Sequence, residues 1–326
     1  MKVAVKILKV TIPLVLAVIL MYTVLTKVSL SELKDVLINA DYRWVFFSVL
    51  ISSSTYLIRA YRWSILLNPL GFYPKLYPTT LSVIIGYLAN LAIPRLGEIV
   101  RCSVLEKTQK VTLGIAIGTV ISDRISDLIM LLLLTILGLV LEFDLLSKLI
   151  MHGLDGISSG FIISLSIGGI IIIFLIVTGV YFIFNKGFLP NAKAFIEKVI
   201  LGILSLIKIK RIGAFIISTF LLWIVYFLMV YSIFFSVEGT SHLGPTTGIL
   251  LVVTGGIALL APVQSGFGTY HYIVGFTLGL YGVDNVTGAS LAIILHTSQV
   301  LAICIFGGMA IPMVMFYKSK RIPKRV

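Results

Sequence analysis

Apolar runs of about 18 residues or more recur along the chain, each long enough to cross a hydrocarbon core of ~30 Å. Six of them, at about 7–26, 43–66, 111–141, 160–185, 211–237 and 285–317, predict full transmembrane helices. Two further apolar stretches, about 77–107 and 244–283, are broken near the middle. One break reads Ile93-Pro94-Arg95-Leu96-Gly97 and the other Ala261-Pro262-Val263-Gln264-Ser265-Gly266-Phe267-Gly268, both rich in residues that stop helices. The return arm from Gly97 to Lys107, about 11 residues at ~1.5 Å each, reaches only halfway across, which predicts a re-entrant hairpin. The second stretch is either a similar hairpin or a pair of short spans. Between the spans, Val28 to Ala40 mixes apolar and charged residues as an amphipathic connector. In Leu189 to Lys208, Phe195, Val199, Ile200 and Ile203 stand opposite Lys193, Glu197 and Lys198, the pattern of a helix lying at the membrane surface.

The fold class expected is therefore all-α: a polytopic integral membrane protein with about six full spans and two broken hairpins. Composition agrees, with 59% hydrophobic and 12% charged residues and a mean hydropathy of +1.10. So few charges cannot build a soluble surface, which excludes a soluble enzyme, a nucleic-acid-binding domain and a disordered regulator. The formal charge of +13 has a topological explanation instead, because short cytoplasmic loops collect Lys and Arg. One assignment places both termini in the cytoplasm, with Arg59, Arg62 and Lys75 among the interior charges. It leaves only Lys27, Lys34, Arg43 and Lys148 outside and Arg124 within a span. A cell-membrane, multi-pass protein is the reading. Lys2, Lys6 and Lys9 precede a first apolar run that is too long for a signal peptide and lacks a small-residue cleavage site, so it is read as a retained span. Trp44, Tyr61 and Trp63 near span ends read as interfacial aromatics. Cys102 and Cys304 show no metal or disulfide spacing and are read as packing residues.

Irregular backbone at membrane depth needs protein or trapped water around it, so two broken segments imply an internal cavity or groove. The new half-helices beginning near Leu96 and Thr269 present N-terminal N–H groups suited to an anion. Oppositely oriented broken hairpins are also how inverted-repeat transporters build a midplane site, although no residue-level repeat is visible. At the first break, Asn90, Pro94, Arg95, Gly97, Glu98 and Arg101 are the candidates. Arg95 lies nearest the tip and is the favoured ligand for an anionic headgroup; Arg101 either joins it or snorkels to the interface. At the second, Gln264, Ser265, Gly266, Gly268 and His271 are the candidates; His271 either meets a headgroup or packs. Asp123 and Asp127 share a face of one span at i,i+4 and Arg124 can reach Asp127 at i,i+3, each charge costing about 2.5–3.5 kcal/mol if exposed to lipid on a lone helix. They therefore line a site or form an ion-pair clamp. No catalytic, metal-ligand or nucleotide motif is found, and no cofactor is expected.

The strings Asn90-Leu91-Ala92-Ile93-Pro94-Arg95-Leu96-Gly97-Glu98-Ile99-Val100-Arg101 and Asp123-Arg124-Ile125-Ser126-Asp127, with the glycine loop from Pro262 to Gly268, resemble the lysylphosphatidylglycerol synthase transmembrane-region family of flippase-like proteins. The resemblance covers nearly the whole chain and implies a single flippase-like domain over residues 1–326. Its partners would be membrane lipids, an anionic phospholipid or an isoprenoid phosphate, with no nucleic acid. The soluble aminoacyl-transferase domain of the best-known members is absent after Val326, so lipid aminoacylation is not expected of this chain. His271 stands where many relatives have Glu. The function expected is lipid translocation or binding rather than catalysis, with the headgroup between the two hairpins. Alternatives are a membrane-embedded transferase acting on isoprenoid-linked sugars or aminoacyl lipids, with Asp123 or Asp127 as base, and a non-catalytic assembly subunit. A homo-oligomer or an association with a lipid-modifying enzyme is left open.

Overall fold

A computed structural model describes residues 15, 17–26, 28–145, 147, 190–261 and 263–317. The expected span at about 160–185 lies outside the described residues, as do residues 7–14 and 16 of the first; residues 17–25 are helical. Among the described residues the fold is all-helical, with no strand. A short α1 (Leu30–Asn39) is the amphipathic connector, and it burys only Leu33 fully. It precedes α2 (Tyr42–Leu67), α3 (Leu76–Ala92), α4 (Leu96–Gln109), α5 (Leu113–Leu141), α6 (Pro190–Leu204), α7 (Ile212–Ile233), α8 (Pro245–Ala258), α9 (Thr269–Leu280) and α10 (Asn285–Met315). Of these, α5, α7 and α10 are long and apolar enough to cross a membrane by length and composition alone.

Helix lengths repeat along the chain. α2 through α5 have 26, 17, 14 and 29 residues, and α7 through α10 have 22, 14, 12 and 31. Each half is thus a long helix, two half-length helices and a second long helix. At ~1.5 Å per residue no half-length arm spans ~30 Å, so both broken stretches form hairpins of short arms. Packing follows the same two-fold pattern: α2 lies along α7, α3 packs on α10, and α8 packs on α5. Each hairpin's first arm is therefore held by the closing helix of the other half. The repeat is invisible in residue identity because it resides in element length and contact pattern.

Each half has its own apolar core. Trp63, Leu67, Val83, Cys102, Leu105 and Val120 are central to the first; Phe234, Leu251, Val274, Leu278 and Leu291 are central to the second. The amphipathic helix α6 packs along α5. Gly118 and Gly202 meet face to face, where a Cβ on Gly202 would lie 2.7 Å from the Gly118 Cα, and the Ser122 hydroxyl donates to the Ile203 carbonyl at 3.0 Å. Glycine at both positions permits this close approach. Part of the helix remains uncovered, including Phe195 and Leu201.

Candidate functional site

The two breaks have explicit causes. Ile93 precedes a proline, which disfavours the helical region, and it is extended at φ −140° and ψ 125°. Arg95 then takes φ +63°, a left-handed conformation uncommon for a side-chain-bearing residue, and starts α4. Inside this tip the Asn90 Oδ1 accepts the Gly97 N–H at 2.7 Å, and a Cβ on Gly97 would lie 2.6 Å from the Asn90 side chain. At the second break Ser265, Gly266 and Gly268 have φ of 50°, 76° and 83°. The Gly268 N–H donates to His271 Nδ1 at 3.3 Å, and His296 Nε2 lies 2.9 Å from the Ser265 carbonyl. Each restarting helix therefore has one end N–H satisfied by its own hairpin, so the free N–H groups expected at both ends are fewer than the sequence suggests.

The tips are neighbours. Arg95 Nη2 donates to the Leu260 carbonyl at 3.2 Å, from the first break to the second, and α3 packs on the turn at Gln264–Gly266. Arg95 is otherwise exposed. Pro94 is half-buried beside it.

Behind the tips, four helices assemble a charge network. α2 contributes Arg59 and Arg62, α4 contributes Glu98 and Arg101, α5 contributes Asp123, Arg124 and Asp127, and α7 contributes Tyr226. Arg62 is wholly buried, and its Nη2 lies 2.6 Å from an oxygen of each aspartate. Arg59 Nη1 is 2.9 Å from Asp127 Oδ2, while its Nε and Nη2 donate to the Tyr226 hydroxyl at 2.9 and 2.7 Å. Arg101 pairs with Glu98 at 2.6 Å and lies 5.0 Å above the Trp63 ring, whose Nε1 donates to Thr119 Oγ1 at 2.9 Å. Arg124 joins Asp123 at 3.2 Å and Glu98 and Asp127 at 3.5 Å.

Asp123, Asp127, Glu98, Arg101 and Arg124 are thus brought together, with the two aspartates held as clamp residues. Arg101 is buried rather than snorkelling, and Arg95 stands apart from the network at the hairpin junction. Gln264, Ser265, Gly266, Gly268 and His271 form a separate cluster at the second break. There His271 is buried, accepts the Gly268 N–H at the start of its own helix and meets His296 at a ring separation of 4.8 Å.

Three assignments change. Arg59 and Arg62 do not face the cytoplasm as topology charges; they neutralise the α5 aspartates inside the bundle. Trp63 is fully buried under Arg101 and is no interfacial aromatic, whereas Trp44 and Tyr61 are exposed. Two arginines at i,i+3 in one span and two aspartates at i,i+4 in another, of opposite sign, were the signal available.

The network has a net charge. Four guanidiniums face three carboxylates, a formal excess of one positive charge. Among the described residues, no three His, Cys, Asp or Glu side chains converge as a metal site would require.

Comparison with known families gives one match: a family model described as the lysylphosphatidylglycerol synthase TM region covers residues 10–307. No curated protein matches the chain, and no solved structure does.

Proposed function

The chain belongs to the lysylphosphatidylglycerol synthase transmembrane-region family, and from that premise we propose that it binds membrane lipids with anionic headgroups and carries them between leaflets. The observation that carries this reading is the surplus positive charge enclosed in an apolar bundle directly behind two touching hairpin tips. An isolated charge is costly at such depth, and an anionic headgroup offsets it. Arg95 uses one N–H on Leu260 and keeps its remaining donors exposed at the junction, where a phosphate accepts charge-assisted hydrogen bonds. The bias of Lys and Arg supports a cytoplasmic assignment for both termini.

The transferase reading has less support. A general base needs a free lone pair toward its substrate, and Asp123 and Asp127 are each shared among at least three guanidiniums.

Native mass spectrometry of gently extracted protein tests the reading. Wild type retains a lipid with a net-negative phosphate headgroup in preference to phosphatidylcholine, and Arg95→Gln retains about ten-fold less of it, the loss of one charge-assisted contact. Retention of no lipid, or equal retention of phosphatidylcholine and phosphatidylglycerol by both proteins, defeats it.

A further inference from the structure

A groove of roughly 310 Å³ runs between α4 and α5. Its walls are Ile99, Ile117, Val120, Ile121, Ile125 and Leu128, and its polar lining is Glu98 and Arg124. We propose that this groove holds the hydrocarbon chain of a membrane phospholipid whose head carries a net negative charge, with its phosphate on Arg124. The inference rests on the anionic-lipid reading and adds a second station beside the hairpin junction.

Arg124 is distinctive within the network. The side chains of Arg59, Arg62 and Arg101 are no more than 7% exposed, whereas that of Arg124 is 41% exposed and lines the groove. Its Nε is buried 3.5 Å from Glu98 Oε1, so the exposed part of the guanidinium is what faces the groove, while Nη1 of the wholly buried Arg62 has no hydrogen-bond partner. The surplus positive charge of the network is thus accessible from one side, and that side is apolar. A ligand fitting both features is amphiphilic, with an anionic head and a hydrocarbon tail. Ile99 and Leu128 are 53% and 50% exposed, so the groove opens laterally, toward acyl chains rather than water. Arg124 lies 11 residues after the first residue of α5, ~16 Å along the helix axis, which puts the phosphate near the middle of a ~30 Å core. A headgroup at that depth with its tail still in the bilayer is an intermediate of leaflet exchange.

A second groove, roughly 190 Å³, supplies an internal comparison. Met130, Leu134, Phe220, Trp223, Ile224, Phe227, Ile249 and Val252 line it, with no charged group. It offers a lipid tail apolar walls without the anchor.

The test is photolabelling of the full chain in phosphatidylcholine vesicles doped with phosphatidylglycerol carrying a diazirine in one acyl chain, with matched diazirine-phosphatidylcholine in a parallel sample. The phosphatidylglycerol probe is expected to label residues 117–128 about ten-fold more than residues 220–227, and the phosphatidylcholine probe to label both alike. Ile121→Trp fills the groove and lowers phosphatidylglycerol labelling by a similar factor, with Leu128→Trp as a second occluding variant should the first misfold. Arg124→Gln abolishes the preference between probes. Equal division of the phosphatidylglycerol label between the grooves, or unchanged labelling in the folded occluded variants, overturns the proposal. If lipid retention still depends on Arg95 in that event, the groove assignment alone fails; loss of both effects removes the anionic-lipid reading as well.

Discussion

At the residue scale, burial decides which charges are structural. Asp123 is 1% exposed and faces four guanidiniums. Removing its charge leaves cations buried without their partner, a change that costs about 3–5 kcal/mol. Asp123→Asn is therefore expected to lower the unfolding midpoint in detergent sharply. Arg124→Gln, at the open edge, is expected to cost less than about 1 kcal/mol, because partly exposed pairs contribute little. Similar shifts in both variants would contradict the division between clamp and rim. This division was half legible. Asp123 and Asp127 stand out as charges within an apolar run, whereas Arg59 and Arg62 lie near the end of theirs and read as interfacial. Only packing reveals that the end of α2 lies beside the middle of α5, so the pairing is non-local and the linear pattern does not specify it.

At the element scale, two contacts are open to test. Gly118→Leu places a side chain where the α6 backbone now sits, and α6 is expected to become sensitive to added protease while α5 stays protected. Unchanged protection would show that the helix pair does not need this close approach. At the aqueous end of α10, Asp284 Oδ1 accepts the N–H groups of Val286 and Thr287, each at 2.9 Å. Burial alone would raise its pKa, but the N–H groups outweigh burial and hold it below the ordinary 3.8. The contribution is present above the ordinary value and disappears as pH falls through the lowered one. Asp284→Ala is expected to cost about 1 kcal/mol at neutral pH, with the difference from wild type shrinking in acid below pH ~4. A difference constant across that range would assign the loss to packing. The broken hairpins were legible because Pro94, Gly97, Gly266 and Gly268 signal breaks through backbone chemistry alone. The docking of α6 was not, since an apolar helix face looks the same whether it meets lipid or protein.

For the whole molecule, the repeated order of long, half, half and long helices places the two tips together and the charge network in one half. The matching helices of the other half hold the pair His271 and His296 instead, so the scaffold is two-fold while its chemistry is not. The topology assignment is checked by single cysteines introduced at Lys110 and Asp284 in a Cys304→Ser background, since Cys304 is exposed and Cys102 buried. In intact cells an impermeant thiol reagent is expected to label position 284 and not 110; the reverse pattern would invert the protein.

The most direct measurement of the central claim is leaflet exchange of tail-labelled phosphatidylglycerol in vesicles holding the purified chain, followed by external quenching. Wild type is expected to make the inner-leaflet probe quenchable faster than empty vesicles do, and folded Arg95→Gln to slow that exchange about ten-fold. Exchange no faster than in empty vesicles, or equal rates for wild type and Arg95→Gln, would contradict the account.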